Sequence, residues 1–373
     1  MTPATLTRRA VQVRDATSDD NDALRAVAAS CPMDGDIALT VTREPDFFQL
    51  NRLEGERWRV GVAEVDGHVV GCVMAAERMA YVHGEPRRTL YAGDLKVDPA
   101  VRGKGVADAL SEWARDAFAS MAGGDAPILM TILGGNRAME RRTRGRGGMP
   151  HFRRFATIRV FSIPLLVPRA FADGRLQVSS GTTDDVEEMV ALWRRVAPDR
   201  QFAPELTTQR FASWLAMAPG LDLSDYRLAR DRTGRLVGFL AWWDQARFKQ
   251  LRVLRYSPRL RVARTVVNRV ASITGGVPLP DVGAVLRYRT AVHVCAEEPA
   301  VLRTLLRASH RELRQARYAF ATIGLDARDP LCAALDGFFA QPTDVNAHVC
   351  TAAGDYAGPS LADRPLHYEV ALV

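Results

Sequence analysis

The two halves of the chain repeat one order of predicted secondary-structure elements. Residues 11–16 alternate as a strand and precede Thr17 and Asp19, which supply helix caps, and residues 176–179 precede Thr182 and Asp184 in the same way. Strand–turn–strand patterns follow at 57–79 and 226–243, and each half continues with a strand, a helix and a strand. We therefore predict two copies of one α+β fold, each a mixed, mostly antiparallel sheet flanked by helices.

The length of 373 residues suits two domains. The segment 168–174 has the composition of a linker, so we place the domains at 1–168 and 169–373. Extended segments at 156–166 and 367–373 are predicted as the closing strands of the two halves, and Asp329 and Pro330 as the start of a helix.

Composition excludes several classes of protein. With 47% hydrophobic and 25% charged residues the chain is globular. Its longest apolar run, 160–167, is far too short to cross a membrane, and residues 1–15 lack the apolar core of a secretory signal, so a cytoplasmic location is expected. The five cysteines form no CxxC pair and the histidines form no HExxH motif, so neither a disulfide framework nor a metal site is expected.

Positive charge is concentrated in two segments. Residues 137–154 contain seven Arg and one Glu, and residues 247–269 contain seven Arg and one Lys without an acid, against a net charge of +7 for the whole chain. Such local patches favour specific anionic partners over general nucleic-acid binding. The first run is interpreted either as a clamp for a phosphate or as solvated surface. The second is either a basic amphipathic helix for a membrane or RNA, interrupted by Pro258, or a set of Arg stems covering a domain interface.

The segment 91–110 carries the strongest chemical signal. A strand ends at Val97-Asp98-Pro99, and a loop containing Gly103 and Gly105 leads into a helix at about Val106. Free backbone N–H groups at a helix N-terminus bind anions, and glycines let the backbone approach the ligand closely. Arg102 and Lys104 add positive charge. The loop lacks the GK[ST] and GxGxxG patterns, so it predicts a phosphate or pyrophosphate site of a different kind.

Arg102-x-x-Gly105-x-Ala107 after this strand resembles motif A of the GNAT acyltransferase superfamily, over about 11–166. The resemblance implies an acetyl-CoA-dependent N-acetyltransferase that moves an acetyl group to a primary amine of a small molecule or peptide. Pyrophosphate would lie on the loop, and pantetheine along the end of the preceding strand and near Asn136, which also has the pattern of a helix cap. The implied CoA-binding residues are Leu95, Lys96, Val97, Arg102, Gly103, Lys104, Gly105, Val106, Ala107 and Asn136.

The catalytic groups are less strongly indicated. Asp94 is the first candidate for the general base and Glu85 the second, whereas structural ion pairs with Arg87 or Arg88 are the alternative for Asp94. The family's usual acid, a Tyr seven residues after Asn136, is replaced by Thr143. Tyr81, Tyr91, His151 or water then remain as proton donors.

An acidic loop, residues 33–48, is expected to form part of the acceptor wall or to be solvated. Its acids are Asp34, Asp36, Glu44 and Asp46.

The second half lacks the glycine loop. Glu297 and Glu298 stand where phosphate would bind, so this copy is expected to have lost CoA and to complete the acceptor cleft or mediate a homodimer. Two other functions stay open: an aminoacyl-tRNA-dependent transferase similar to the Fem-type tandem GNAT enzymes, and a CoA-sensing protein without turnover.

Overall fold

The computed structural model describes residues 11–168 and 176–373. Within these residues there are eight α-helices, with short 3₁₀ helices between them. The helices are α1 (Asn21–Ala29), α2 (Asn51–Glu54), α3 (Val106–Ala122), α4 (Arg137–Arg142), α5 (Val186–Val196), α6 (Thr208–Met217), α7 (Pro258–Thr274) and α8 (Pro299–Gln315).

The same residues form fourteen strands. They are β1 (Gln12–Asp15), β2 (Ile37–Thr42), β3 (Arg57–Val65), β4 (His68–Val82), β5 (Glu85–Val97), β6 (Ile128–Leu133), β7 (Arg153–Pro164), β8 (Gln177–Ser180), β9 (Tyr226–Arg230), β10 (Leu236–Trp243), β11 (Gln250–Tyr256), β12 (Tyr288–Ala296), β13 (Phe320–Asp326) and β14 (Gln341–Cys350).

Twelve of the described strands form one mixed, mostly antiparallel sheet, which confirms the predicted fold class. Its order is β1-β3-β4-β5-β6-β14-β7-β13-β12-β10-β9-β8, while β2 and β11 pair separately as an antiparallel ribbon. Helices flank the sheet, and in the first half α3 packs on β3, β4 and β5. None of the helices in the described ranges has the length and hydropathy needed to span a bilayer.

The two halves exchange their final strands. β14 lies between β6 and β7, and β7 lies between β14 and β13. The ladder between β14 and β7 runs from Gln341 opposite Ser162 to Val349 opposite Arg153. Each half therefore completes the sheet of the other. The predicted boundary at 168/169 divides the sequence into two halves, but the strands of both halves belong to one continuous sheet.

Each half has one parallel strand pair, and each pair is short. β5 pairs with β6 only through Leu90–Ala92, and β12 pairs with β13 only through Tyr288–Thr290. Just beyond these pairs, β5 and β12 carry β-bulges in which Asp94 (φ 53°) and His293 (φ 52°) adopt left-handed backbone conformations. A bulge bends its strand away from the ladder. The parallel strands consequently part at equivalent positions in the two halves.

The predicted closing strand at 367–373 is wrong. The strand that closes the second half is β14, and the segment 365–373 lies against the parting of β12 and β13. A Cβ on Gly324 of β13 would meet the Tyr368 ring at 3.0 Å, and the His293 amide donates to the Glu369 carboxylate at 3.1 Å. A side-chain carboxylate takes the place of a ladder partner here, so the segment is not a strand. The predicted helix at Asp329 and Pro330 is a 3₁₀ turn, Pro330–Leu335.

Candidate functional site

The loop before α3 has a backbone that only glycine adopts easily. The Asp98 side chain accepts from the Ala100 amide at 2.8 Å and fixes a 3₁₀ turn, Pro99–Val101. Gly103 (φ 79°) and Gly105 (φ 84°) follow in left-handed conformations, and no atom lies within 4 Å of where their Cβ would be. The glycines are therefore required by backbone conformation, and the space above them is open.

This loop also presents free amide groups. Within the described residues, the amides of Gly103, Gly105, Val106 and Ala107 donate no backbone hydrogen bond, and they stand at the N-terminus of the 17-residue helix α3. The Arg102 and Lys104 side chains beside them are exposed. The arrangement can bind an anion through N–H groups, helix dipole and positive charge together.

Helix α4 is fastened to the first turn of α3. Arg142 donates to the Asp108 carboxylate at 2.6 Å and to the Ala107 carbonyl at 3.0 Å. Asn136 accepts from the Met139 amide at 3.2 Å, so its capping role is confirmed. Thr143, at the family's usual acid position, is buried and donates to the Glu140 carbonyl at 2.9 Å, which makes it a helix-end contact. The other arginines of the run 137–154 are exposed.

Asp94 lies in the bulge of β5, where two residues, Asp94 and Leu95, stand opposite the single residue Val73 of β4. Its carboxylate is buried and accepts hydrogen bonds from both terminal nitrogens of Arg43, at 2.7 and 2.8 Å. It also accepts a hydrogen bond from the Lys96 ammonium. Burial alone would raise the pKa of Asp94, but the charges and hydrogen bonds of Arg43 and Lys96 outweigh it and hold the pKa far below its usual range. Asp94 is accordingly a permanent anion with two cationic partners, and the predicted pairs with Arg87 or Arg88 are replaced by these.

Two further buried charges adjoin Asp94, and the motifs gave no indication of either. Burial raises the pKa of Glu54, at the end of α2, to about 7, with opposing effects from Arg78 and Arg43. Burial lowers the pKa of Lys249 to about 7, and its ammonium donates to the carbonyls of Ala371 and Val373. Each interacts electrostatically with Asp94 and with the other. We call Arg43, Glu54, Asp94, Lys96 and Lys249 the central charge cluster.

Of the suggested proton donors, Tyr91 lies in the short paired stretch of β5 and β6, just before the two strands part. Its hydroxyl is 3.1 Å from that of Thr131 on β6, and burial raises its pKa well above the usual value. Tyr81 packs in the core of the second half, and His151 is exposed 3.3 Å from Asp355.

Glu85 begins β5 at the hairpin, nine residues from Asp94 along the strand, so the structure separates the two base candidates by about 30 Å.

Three of the four acids in the loop 33–48 form ion pairs with arginines. Glu44 pairs with Arg25, Asp46 pairs with Arg52, and Asp34 pairs with Arg255 at 2.7 Å.

In the second half, Glu297 pairs with Arg195 and Arg235, and Glu298 is the N-cap residue of α8. Among the described residues, no group of His, Cys, Asp and Glu is arranged to hold a metal ion.

Comparison with known proteins agrees with this geometry. Residues 56–139 match the family model of the acetyltransferase (GNAT) domain. No curated protein matches the chain. Among solved structures, N-myristoyltransferase from Saccharomyces cerevisiae with bound myristoyl-CoA and inhibitors is 11% identical, with a TM-score of 0.65 over 98% of this chain and 87% of that one. A GCN5-related N-acetyltransferase from Sphaerobacter thermophilus is 14% identical, with a TM-score of 0.55 over 94% and 97%.

At these identities the structures establish the fold. The chain has the GNAT fold, and the stretch that matches the family model of the GNAT acetyltransferase domain runs from β3 through the glycine loop and α3 into α4.

Proposed function

We propose that the protein is an acyl-CoA-dependent N-acyltransferase that moves an acetyl group from acetyl-CoA to a primary amine of a small molecule or peptide. The observation that carries the proposal is the left-handed glycine loop with its free amides, directly beside a bulged strand that parts from its parallel neighbour. The loop suits the CoA pyrophosphate, and the parting suits a pantetheine chain hydrogen-bonded to Leu95 and Val97. A backbone N–H of the bulge would polarise the thioester carbonyl.

The donor lies within the first half in this proposal. The corresponding parting in the second half is covered by the segment 365–373, and Glu297 and Glu298 oppose phosphate there. The second half then contributes Lys249 to the central charge cluster and completes the acceptor cleft.

We assign proton acceptance to Glu54. A general base works best when its pKa is near the working pH, and the pKa of Glu54 is about 7. Asp94 takes a proton poorly because Arg43 and Lys96 stabilise its anion, so it serves to position those cations and the bulge. In the reaction, the amine nitrogen forms a bond to the thioester carbon and Glu54 takes the proton that the amine releases. The carbon–sulfur bond breaks, and CoA leaves as a thiolate that takes its proton from water.

The experiment measures thermal stability with and without acetyl-CoA for the wild type, Gly105→Glu and Gly67→Glu. Gly67 is the matched control, because it also has a positive φ (76°) and open space around its Cβ, but lies in the β3–β4 hairpin. A ligand that binds only the folded state at about 100 times its Kd stabilises it by about 2.7 kcal/mol.

We expect acetyl-CoA to stabilise the wild type and Gly67→Glu and to leave Gly105→Glu unchanged. An amine panel with release of free CoA as the readout then identifies the acceptor. A wild type that acetyl-CoA fails to stabilise contradicts the proposal, and RNA that copurifies with the protein would then favour the aminoacyl-tRNA-dependent alternative.

A further inference from the structure

Helix α7 presents an apolar face to solvent. Among the described residues, nine large hydrophobic side chains are exposed, and five of them lie within residues 254–282. Three of the five are on α7 itself: Val262 is 75% exposed, Val266 65% and Ile273 80%. Their spacing of four and seven residues places them on one side of the helix. The other two are Leu254 on β11, before the helix, and Val282 in the loop after it.

The opposite side of α7 is fastened to the protein. The Asn268 amide and the Leu279 backbone exchange hydrogen bonds of 3.2 and 2.8 Å, and the Arg264 guanidinium lies over the Tyr256 ring at 5.2 Å. Ala271 is buried. The helix is therefore held in place with its apolar side outward, and Pro258 starts it at the first turn.

Unpaired arginines lie on α7 beside the apolar residues. Residues 245–280 contain seven Arg and one Lys and no acid. Arg259, Arg261 and Arg269 are exposed and make no ion pair with any residue in the described ranges. An apolar face bordered by cations has the composition of a helix that lies in the interface of an anionic bilayer.

We propose that α7 docks the protein on an anionic lipid membrane, with Val262, Val266 and Ile273 inserted at the headgroup level and the arginines on lipid phosphates. Charge decides between this occupant and a second copy of the chain. Two α7 faces brought together would place unpaired arginines of both copies close to one another, whereas an anionic membrane neutralises them.

The test is cosedimentation of the full chain with phosphatidylcholine vesicles that contain or lack phosphatidylglycerol. One variant removes charge, Arg259→Gln with Arg261→Gln and Arg269→Gln. A second removes apolar surface, Val262→Ser with Val266→Ser and Ile273→Ser. The matched control removes the same charge from the other basic segment, Arg141→Gln with Arg144→Gln and Arg146→Gln, whose side chains are also exposed.

We expect binding to the anionic vesicles only, weakened by salt and by about 100-fold in the charge variant. The apolar variant should also lose binding, and the control should keep it. The proposal is overturned if the wild type does not bind anionic vesicles. It is also overturned if the control substitutions weaken binding as much as the α7 charge substitutions do. It is also overturned if α7 mediates a dimer in sedimentation equilibrium that the apolar variant dissociates, or if the face binds RNA in a manner that the apolar variant leaves unchanged.

Discussion

Single side chains at the centre of this protein are tuned by burial as much as by charge. Glu54 and Asp94 are both buried carboxyl groups in the same cluster, yet burial raises the pKa of Glu54 to about 7, whereas Arg43 and Lys96 hold that of Asp94 far below its usual range. With Glu54 as the base, activity rises with pH through about 7, because only its ionised form accepts a proton. Glu54→Gln should lower kcat by about 10²- to 10⁴-fold and abolish that rise. Glu56→Gln, at an exposed residue paired with Arg210, is the control; a rise that persists in Glu54→Gln places the base elsewhere.

The same shift has a consequence for stability. The pKa of Glu54 is raised on folding from 4.5 to about 7, so its contribution to stability is present below pH 4.5 and is lost as the pH rises through 7. Glu54→Gln should therefore increase the free energy of unfolding at pH 8 by about 3 kcal/mol and leave it little changed at pH 4.5. Urea unfolding at the two pH values measures this difference, and an equal effect at both would contradict it.

At the scale of elements, the bulge of β5 depends on the ion pair beneath it. Arg43 and Arg59 each bind an aspartate through two hydrogen bonds and each lie over an aromatic ring, but Arg43–Asp94 is buried and Arg59–Asp15 is exposed. Arg43→Met should cost about 3–5 kcal/mol because the buried Asp94 carboxylate loses its two-fold partner and keeps only Lys96, whereas Arg59→Met should cost about 0–1 kcal/mol. Denaturant unfolding of the two variants tests this, and equal losses would show that burial does not set the strength of the first pair.

At the scale of the whole molecule, the exchanged strands make the two halves interdependent. Without β14, the strand β6 would lose the neighbour that it pairs with from Ile128 to Leu133, and β7 would lose both of its partners. Unpaired strand edges of this length aggregate. Residues 1–168 expressed alone should be insoluble, and coexpression with residues 169–373 should recover a soluble complex, as fractionation and copurification would show. A soluble, folded fragment 1–168 would contradict this interdependence.

The local features follow from the order of the amino acids alone. Capped helices and hairpins depend on neighbours in the chain, and so the helix cap at Asn136 is predicted correctly, whereas the CoA-binding role of Gly103 and Gly105 stays a prediction. The fold class followed from the repeated element order for the same reason.

Which distant residues meet depends on how the whole chain folds. The exchange of β7 and β14 follows from long-range pairing that no local pattern encodes, and the segment 365–373 resembles a strand in sequence although a carboxylate contact holds it. The central charge cluster brings Arg43, Glu54 and Lys249 to Asp94 from separate segments. Their pKa values depend on burial and on each other, and both properties arise only when the chain has folded.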